Sequence, residues 1–333
     1  MLIPIVFDAE AIDTEEDENA KLEREDILKQ ILEFGILHFR DGQSKKLLER
    51  LKTIPTIESK RWIEAITTFA LFNIEAKSLK PIEMSPIFRN DSALIVVPTK
   101  KADASLTTFG LKAPRSTVAK TKTEYVAASH VNKSVSIRER SEWSNKDLWP
   151  EENLKKIGDE RIGPLFRVSR RVSLVDRYAF STFCSDGEKS GLSWLLKQLN
   201  SSSQRSCKIS IFSTHSPDRK TTKPPADIDI WIDLLQKQLE NVNGELNIYL
   251  GPDHLYKKNA HDRYLRVDDR RIIDLGKGVD SFSGGKIKQR SSFNYSVLRQ
   301  SQEVNRYRDL EGKLSKNDSI HNFRRILGEG FIE

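Results

Sequence analysis

Residues 261–282, HDRYLRVDDRRIIDLGKGVDSF, hold the densest polar cluster of the chain and decide how its second half is read. Two short runs, Tyr264–Val267 and Arg271–Leu275, alternate apolar and polar residues and are joined by Asp268-Asp269-Arg270. They read as a hairpin or as consecutive edge strands. Side chains alternate along a strand, so His261 and Arg263 project to the same face. An imidazole beside a guanidinium suits an anionic phosphoryl group: the ring can attack or move a proton, and the fork can hold two oxygens. Gly276 and Gly278 allow a sharp turn or a close backbone approach, with the charge of Lys277 between them. On a purely structural reading, His261 and Asp262 pin the strand and the two glycines serve a turn.

Upstream of this cluster, strand-like and helix-like segments alternate. Val172–Phe180, Cys207–Ser213 and Leu246–Leu250 read as strands, and Gly191–Leu199 and Pro224–Leu239 read as helices. That rhythm predicts crossover units and a mostly parallel sheet covered on both faces. A final helix is expected over Ser296–Leu314.

The stretch 261–282 resembles the signature of the C-terminal domain of MIT-domain proteins, in which an HDR triplet precedes a strand pair and a glycine, basic residue, glycine, apolar residue, aspartate sequence. The strand Ser173-Leu174-Val175-Asp176-Arg177-Tyr178 is similar to that family's opening strand. The resemblance covers roughly Val172–Phe282 and implies a phospholipase D-like fold. It implies phosphate binding by Asp176, Asp262, Gly276, Lys277, Gly278 and Asp280. Stand-alone bacterial relatives of this kind look like parts of antiphage operons, which implies an assembly with other protein subunits.

The same stretch overlays the phospholipase D pattern of His, any residue, Lys, four residues, Asp. His261 then takes the nucleophile position, Asp268 the aspartate position, and Arg263 stands where the pattern has lysine. A guanidinium neutralises phosphate charge but does not deprotonate as an amine does. A complete site needs a second motif, and neither His215 nor His254 heads one. Catalysis by His261, Arg263 and Asp268 would therefore require a homodimer with two His261 side chains across a two-fold axis.

The first part of the chain has a different texture. Residues 2–7, LIPIVF, read as a buried strand. Ile27, Leu28, Ile31, Leu32, Phe34 and Leu37 recur at helical spacing up to Gly42, and further helices are expected over Lys45–Lys52 and Ser59–Lys77. Ser92–Val97 reads as a strand closed by Pro98. The expected architecture is a mainly helical α+β unit with one or two strands over residues 1–98. A polar connecting arm over 99–160 joins it to a phospholipase D-like α/β sandwich over 161–333. Asp8 and Glu10, following the first strand, are reminiscent of paired carboxylates that bind Mg2+ in nucleases.

Composition bounds these readings. The 333 residues carry 55 Lys and Arg against 48 Asp and Glu, and 37% are hydrophobic, which suits ordinary cores and disfavours a disordered or coiled-coil chain. No apolar run approaches membrane-spanning length, and the N-terminal sequence has no basic region before an apolar one. A cytoplasmic protein is expected. Cys184 and Cys207 are too few for a thiolate zinc site and read as core thiols. Basic Lys277, Lys286, Lys288 and Arg290 contrast with the acidic run Asp13–Glu18 and suggest nucleic-acid contact, or an anionic headgroup, through the C-terminal part. The expected function is phosphate-partner binding without turnover, and no cofactor is expected. The alternatives are a His261 phosphodiesterase and a Mg2+ nuclease at Asp8 and Glu10.

Overall fold

The computed structural model describes residues 2–7, 9, 12, 14–39, 43–68, 72–73, 94–97, 123–125, 128–203, 206–215, 226–259 and 263–328. The chain divides into two compact units, Leu2–Glu142 and Trp143–Glu333.

The first unit is built on a five-stranded sheet rather than on one or two strands. Its strands are β1 (Ile3–Phe7), β2 (Gly35–Phe39), β3 (Phe72–Asn73), β4 (Leu94–Val97) and β5 (Thr123–Tyr125), in the order β3-β2-β1-β4-β5. Every pairing is parallel. The expected helix through Leu37 ends at Phe34. Gly35 begins β2 instead, and a Cβ there would lie 2.9 Å from the Ile31 backbone. Asp17 caps the helix Glu18–Phe34 by accepting the Ala20 N–H at 2.8 Å, satisfying one of the first-turn donors. Helices Gln43–Leu51 and Thr56–Thr68 follow, the latter shorter than expected because Phe72 opens β3. Buried Arg24 makes a two-pronged pair with Glu58, Nε to Oε1 at 2.5 Å and Nη2 to Oε2 at 3.1 Å. Part of the expected polar arm is regular: β5 joins this sheet, and a helix covers Val135–Ser144.

The second unit carries a seven-stranded mixed sheet. Its strands are β6 (Arg171–Val175), β7 (Cys207–Thr214), β8 (Gly244–Gly251), β9 (Tyr264–Val267), β10 (Arg271–Asp274), β11 (Asn294–Val297) and β12 (His321–Leu327), in the order β11-β10-β9-β6-β7-β8-β12. Only β6, β7 and β8 run parallel to one another. The other pairings are antiparallel, so the expectation of a mostly parallel sheet is corrected. In the antiparallel part a short turn joins β9 to β10, a longer connection over residues 275–293 brings β11 back along β10, and β12 returns along β8 after the helix Ser301–Ser315.

Both faces are covered. Alternation along β6 and β7 sends Val172, Leu174, Ile209 and Ile211 one way, where they surround a small apolar cavity with Phe166, Leu192 and Leu195 of the flanking helices. Val175 and Phe212 point the other way. There they join a cluster with Tyr256, Tyr264, Leu298, Val304 and Leu314, the last two from the helix Ser301–Ser315. The expected final helix begins at Ser301 because residues 294–297 belong to β11.

Candidate functional site

In open sheets the ends of strands gather side chains that a rigid framework can aim, and the carboxyl ends of β6–β8 do this. Because β6 and β9 are antiparallel with Val175 opposite Tyr264, the residue after β6 and the residue before β9 meet at one edge. These residues are Asp176 and Arg263, whose Oδ1 and Nε are 4.0 Å apart.

Asp176 is buried, and both carboxylate oxygens accept from backbone. Oδ1 takes the Tyr178 N–H at 3.0 Å, and Oδ2 takes the Val279 N–H at 2.7 Å. The second bond ties the start of the domain to a loop 103 residues on. Burial pushes the Asp176 carboxyl up to about 6, against the pull of the two N–H groups and Arg263.

The loop is shaped for this contact. Gly278 has φ +81°, and a Cβ there would lie 2.2 Å from Asp176 Oδ2 and 2.8 Å from Arg263 Cδ. Glycine is required both by the backbone and by the close approach. Just beyond, Val279 is buried, and its carbonyl presses on Gly191 at the start of the helix Gly191–Ser202. Phe282 stacks on Trp194 of that helix with ring centres 4.5 Å apart. Asp280 accepts from Thr182 Oγ1 at 3.3 Å, and burial raises its carboxyl above the ordinary range, with Asp186 adding to the rise. Lys277 donates its N–H to Ser291 Oγ at 3.1 Å, and its ammonium reaches Gln289 at 2.8 Å.

Two guanidiniums frame the edge. Arg263 donates to the Lys277 carbonyl and lies 5.1 Å from the centre of the Tyr178 ring. Arg177 lies 4.7 Å from the centre of the same ring and pairs with buried Asp253, which also has Lys257 at 3.8 Å. Tyr178 thus holds two cations by its π-face while each keeps a carboxylate partner.

Of the residues expected from sequence, the structure brings Asp176, Arg263, Gly278 and Asp280 together, with Lys277 on the same loop. His261, Asp262, Asp8 and Glu10 lie outside the described residues. Asp268 is not brought to this edge: it follows the other end of β9, a strand of four residues, about 13 Å away at 3.3 Å per residue. It adopts φ +53°, and its Oδ1 accepts from the N–H groups of Arg170 and Arg171 at 2.9 and 3.1 Å. It is a turn residue at the end of β9 opposite Arg263.

The basic run is also bound up locally. Lys286 pairs with Glu151 at 2.7 Å, and Arg290 pairs with Asp147 at 2.6 Å while lying 4.6 Å from the Trp149 ring centre. Isolated bridges Leu148–Ser291 and Asn153–Lys286 lay these two segments side by side. Gly284 approaches the Lys288 side chain, a Cβ there meeting Cε at 3.2 Å.

Sequence reasoning missed Arg177 and Tyr178 as site residues, although both stand in the segment 173–178 that is similar to the family's opening strand. Asp253 and Thr182 carried no local signal, since only the topology carries them to this edge. Burial pushes the Cys184 and Cys207 thiols up to about 12, so both stay protonated at neutral pH. Among the described residues no group of three or more His, Cys, Asp or Glu could hold a metal ion. No helix of the described residues is long and apolar enough to cross a membrane. Neither a family model nor a curated protein sequence matches the chain.

Proposed function

We propose that the second unit is a phosphate-binding module with a phospholipase D-like fold, and that its ligand sits at the carboxyl edge against Arg177 and Arg263. The observation that carries this is the convergence of two guanidiniums on one ring, at 4.7 and 5.1 Å. Cations held in place by a tyrosine and by single carboxylates are oriented before an anion arrives, so less ordering entropy is lost on binding. The resemblance to the C-terminal domain of MIT-domain proteins agrees with this reading and carries the expectation of a multi-subunit defence assembly with nucleic acid as the phosphate-bearing partner. The module binds without turnover. Its best-placed acid, Asp176, has both oxygens committed to backbone N–H groups.

Titration of the full chain with inorganic phosphate and with a 5′-phosphorylated dinucleotide tests it. Arg263→Gln should weaken both at least about tenfold, the worth of one charge-assisted hydrogen bond, while Arg263→Lys keeps part of the affinity. Equal affinity in Arg263→Gln and the parent sinks the proposal.

A second reading has its own observation. Among the described residues of the first unit all strand pairings are parallel, and the strand order reverses between β1 and β4. Ligands of such sheets bind outside the carboxyl ends at that reversal, and in sequence β1 runs directly into Asp8-Ala9-Glu10. Arg24 donates to the Glu15 carbonyl and Arg50 to the Ile12 carbonyl, so two guanidiniums fasten the chain that leaves β1. This favours a Mg2+-dependent nuclease in the first unit over a His261 phosphodiesterase in the second. Cleavage of a DNA or RNA oligonucleotide that stops with EDTA and with Asp8→Asn, and survives His261→Ala, supports it. Cleavage that survives EDTA and stops with His261→Ala assigns the chemistry to the second unit.

A further inference from the structure

We propose that the opposite edge of the second unit's sheet, at the amino ends of β6 and β7, is a docking surface for the sugar-phosphate backbone of a nucleic acid, organised by Asp269. The surface lies at the far ends of β6 and β9 from Arg177 and Arg263, so it stands independently of the carboxyl-edge site.

Asp269 sits on the turn between β9 and β10 and gathers three guanidiniums from three elements. Arg171 comes from the start of β6, Arg266 from β9 at 3.3 Å, and Arg308 from the helix Ser301–Ser315 at 2.6 Å. One negative charge therefore faces three positive ones. Arg266 is balanced a second time by Glu311 at 2.5 Å, and that pair is buried. Among the described residues Arg171 and Arg308 have no such second acid. Their side chains are 52% and 47% exposed, and each commits one terminal nitrogen to Asp269.

The neighbouring carboxylate gives little relief. Asp268 has one oxygen occupied by the backbone N–H groups of Arg170 and Arg171, and its other oxygen lies 3.8 Å from Arg271. The positive band continues across the sheet because Arg171 is in register with Lys208 on β7, and registered neighbours on adjacent strands share a face. Lys208 is half exposed and shares Glu245 with Arg324. Arg170 is exposed beside Arg171.

Arginine is the side chain suited to phosphodiester oxygens, since its planar fork gives paired donors and is weakly hydrated. A carboxylate that already holds two exposed guanidiniums by one nitrogen each leaves their other donors turned outward in a fixed geometry. That lowers the ordering cost of docking a phosphate backbone. Such docking carries charge and register but no base readout, so binding here is salt-sensitive and indifferent to sequence. By contrast, the Lys286 and Arg290 run is matched one to one by Glu151 and Asp147, so it offers little net charge.

The test is fluorescence anisotropy of a labelled DNA duplex of about 20 base pairs with the full chain over a salt series. Arg171→Gln with Arg308→Gln should weaken binding and lower the slope of log affinity against log salt by about 2, one unit for each phosphate no longer neutralised. Lys286→Gln with Arg290→Gln should leave the parent slope. Should the first pair lower the thermal midpoint, Arg170→Gln with Lys208→Gln, both on exposed side chains, must produce the same fall. A parent slope in both arginine-containing pairs at this edge, or no binding by the full chain at low salt, overturns the proposal. Arg263→Gln reports separately, through phosphate titration, on the other edge.

Discussion

Replacing Gly278 by alanine tests the packing on which the carboxyl edge depends. At φ +81° and ψ −170° the backbone occupies a region open essentially to glycine alone, so alanine there costs about 1–3 kcal/mol from conformation. The added Cβ would also lie 2.2 Å from Asp176 Oδ2, 2.9 Å from Asp176 Cγ and 2.8 Å from Arg263 Cδ. That carboxylate is no flexible tip that can swing aside, since it is buried and held by two N–H groups. Overpacking of this kind adds about 1–3 kcal/mol, so the total is about 2–6 kcal/mol. Gly312 supplies a control of opposite sign. It lies inside the helix Ser301–Ser315 with open space where its Cβ would go, and Gly312→Ala should stabilise by about 0.5–1 kcal/mol. Urea unfolding followed by tryptophan fluorescence measures both, because Trp194 stacks on Phe282 at the end of the loop. A Gly278→Ala chain within about 0.5 kcal/mol of the parent would refute the claim that Asp176, Gly278 and Val279 form one rigid joint.

Two further outcomes are expected. The Asp176 carboxyl is pushed from its ordinary 3.8 up to about 6, so the folded chain binds more protons than the unfolded chain between those values; stability should fall by up to about 3 kcal/mol as pH rises through that window and level off above it. Asp176→Asn should flatten that stretch of the pH–stability curve, and a slope that persists in the variant would assign it elsewhere. In the first unit, Glu58→Ala strands the buried Arg24 guanidinium and should cost about 3–5 kcal/mol, whereas Arg24→Met with Glu58→Leu should cost much less, by thermal or urea unfolding.

Much of the second unit was legible because its signals are local. Alternation marked β9 and β10, the Asp268-Asp269-Arg270 turn separated them, and the glycines at 276 and 278 marked a backbone that other residues do not follow. What failed were inferences about pairing. A rhythm of strands and helices predicts parallel neighbours, yet β9, β10 and β11 fold back on one another and β12 returns along β8, and periodicity says nothing of partner choice. β12, HNFRRIL, was missed because an exposed edge strand guarded by Arg324 and Arg325 reads as polar coil. In the first unit, Leu37 extended a helical pattern, and the extended conformation of Gly35 ends it. β3 and β5, two and three residues long, are too short for any period to show.

The candidate site follows the same division. Its chemistry-bearing residues were visible singly, but their roles depend on which strand ends the topology brings together. Asp176 and Val279 are joined because β6 and β10 both pair antiparallel with β9 and so end beside Tyr264, while Asp268 follows the other end of that strand. The edge with the sequence motif and the edge without one therefore have different characters. At the first, each guanidinium near Tyr178 keeps a carboxylate partner and the loop is fixed by glycine, so Arg177 and Arg263 are held in place by the residues around them. At the second, Asp269 gathers more positive charge than it can neutralise, from Arg171, Arg266 and Arg308, residues 171, 266 and 308 of a chain in which nothing marks them as a group. A surface assembled from such scattered positions leaves no motif, and it emerges only when the register of β6 against β7 and the return of the helix Ser301–Ser315 set the arginines side by side.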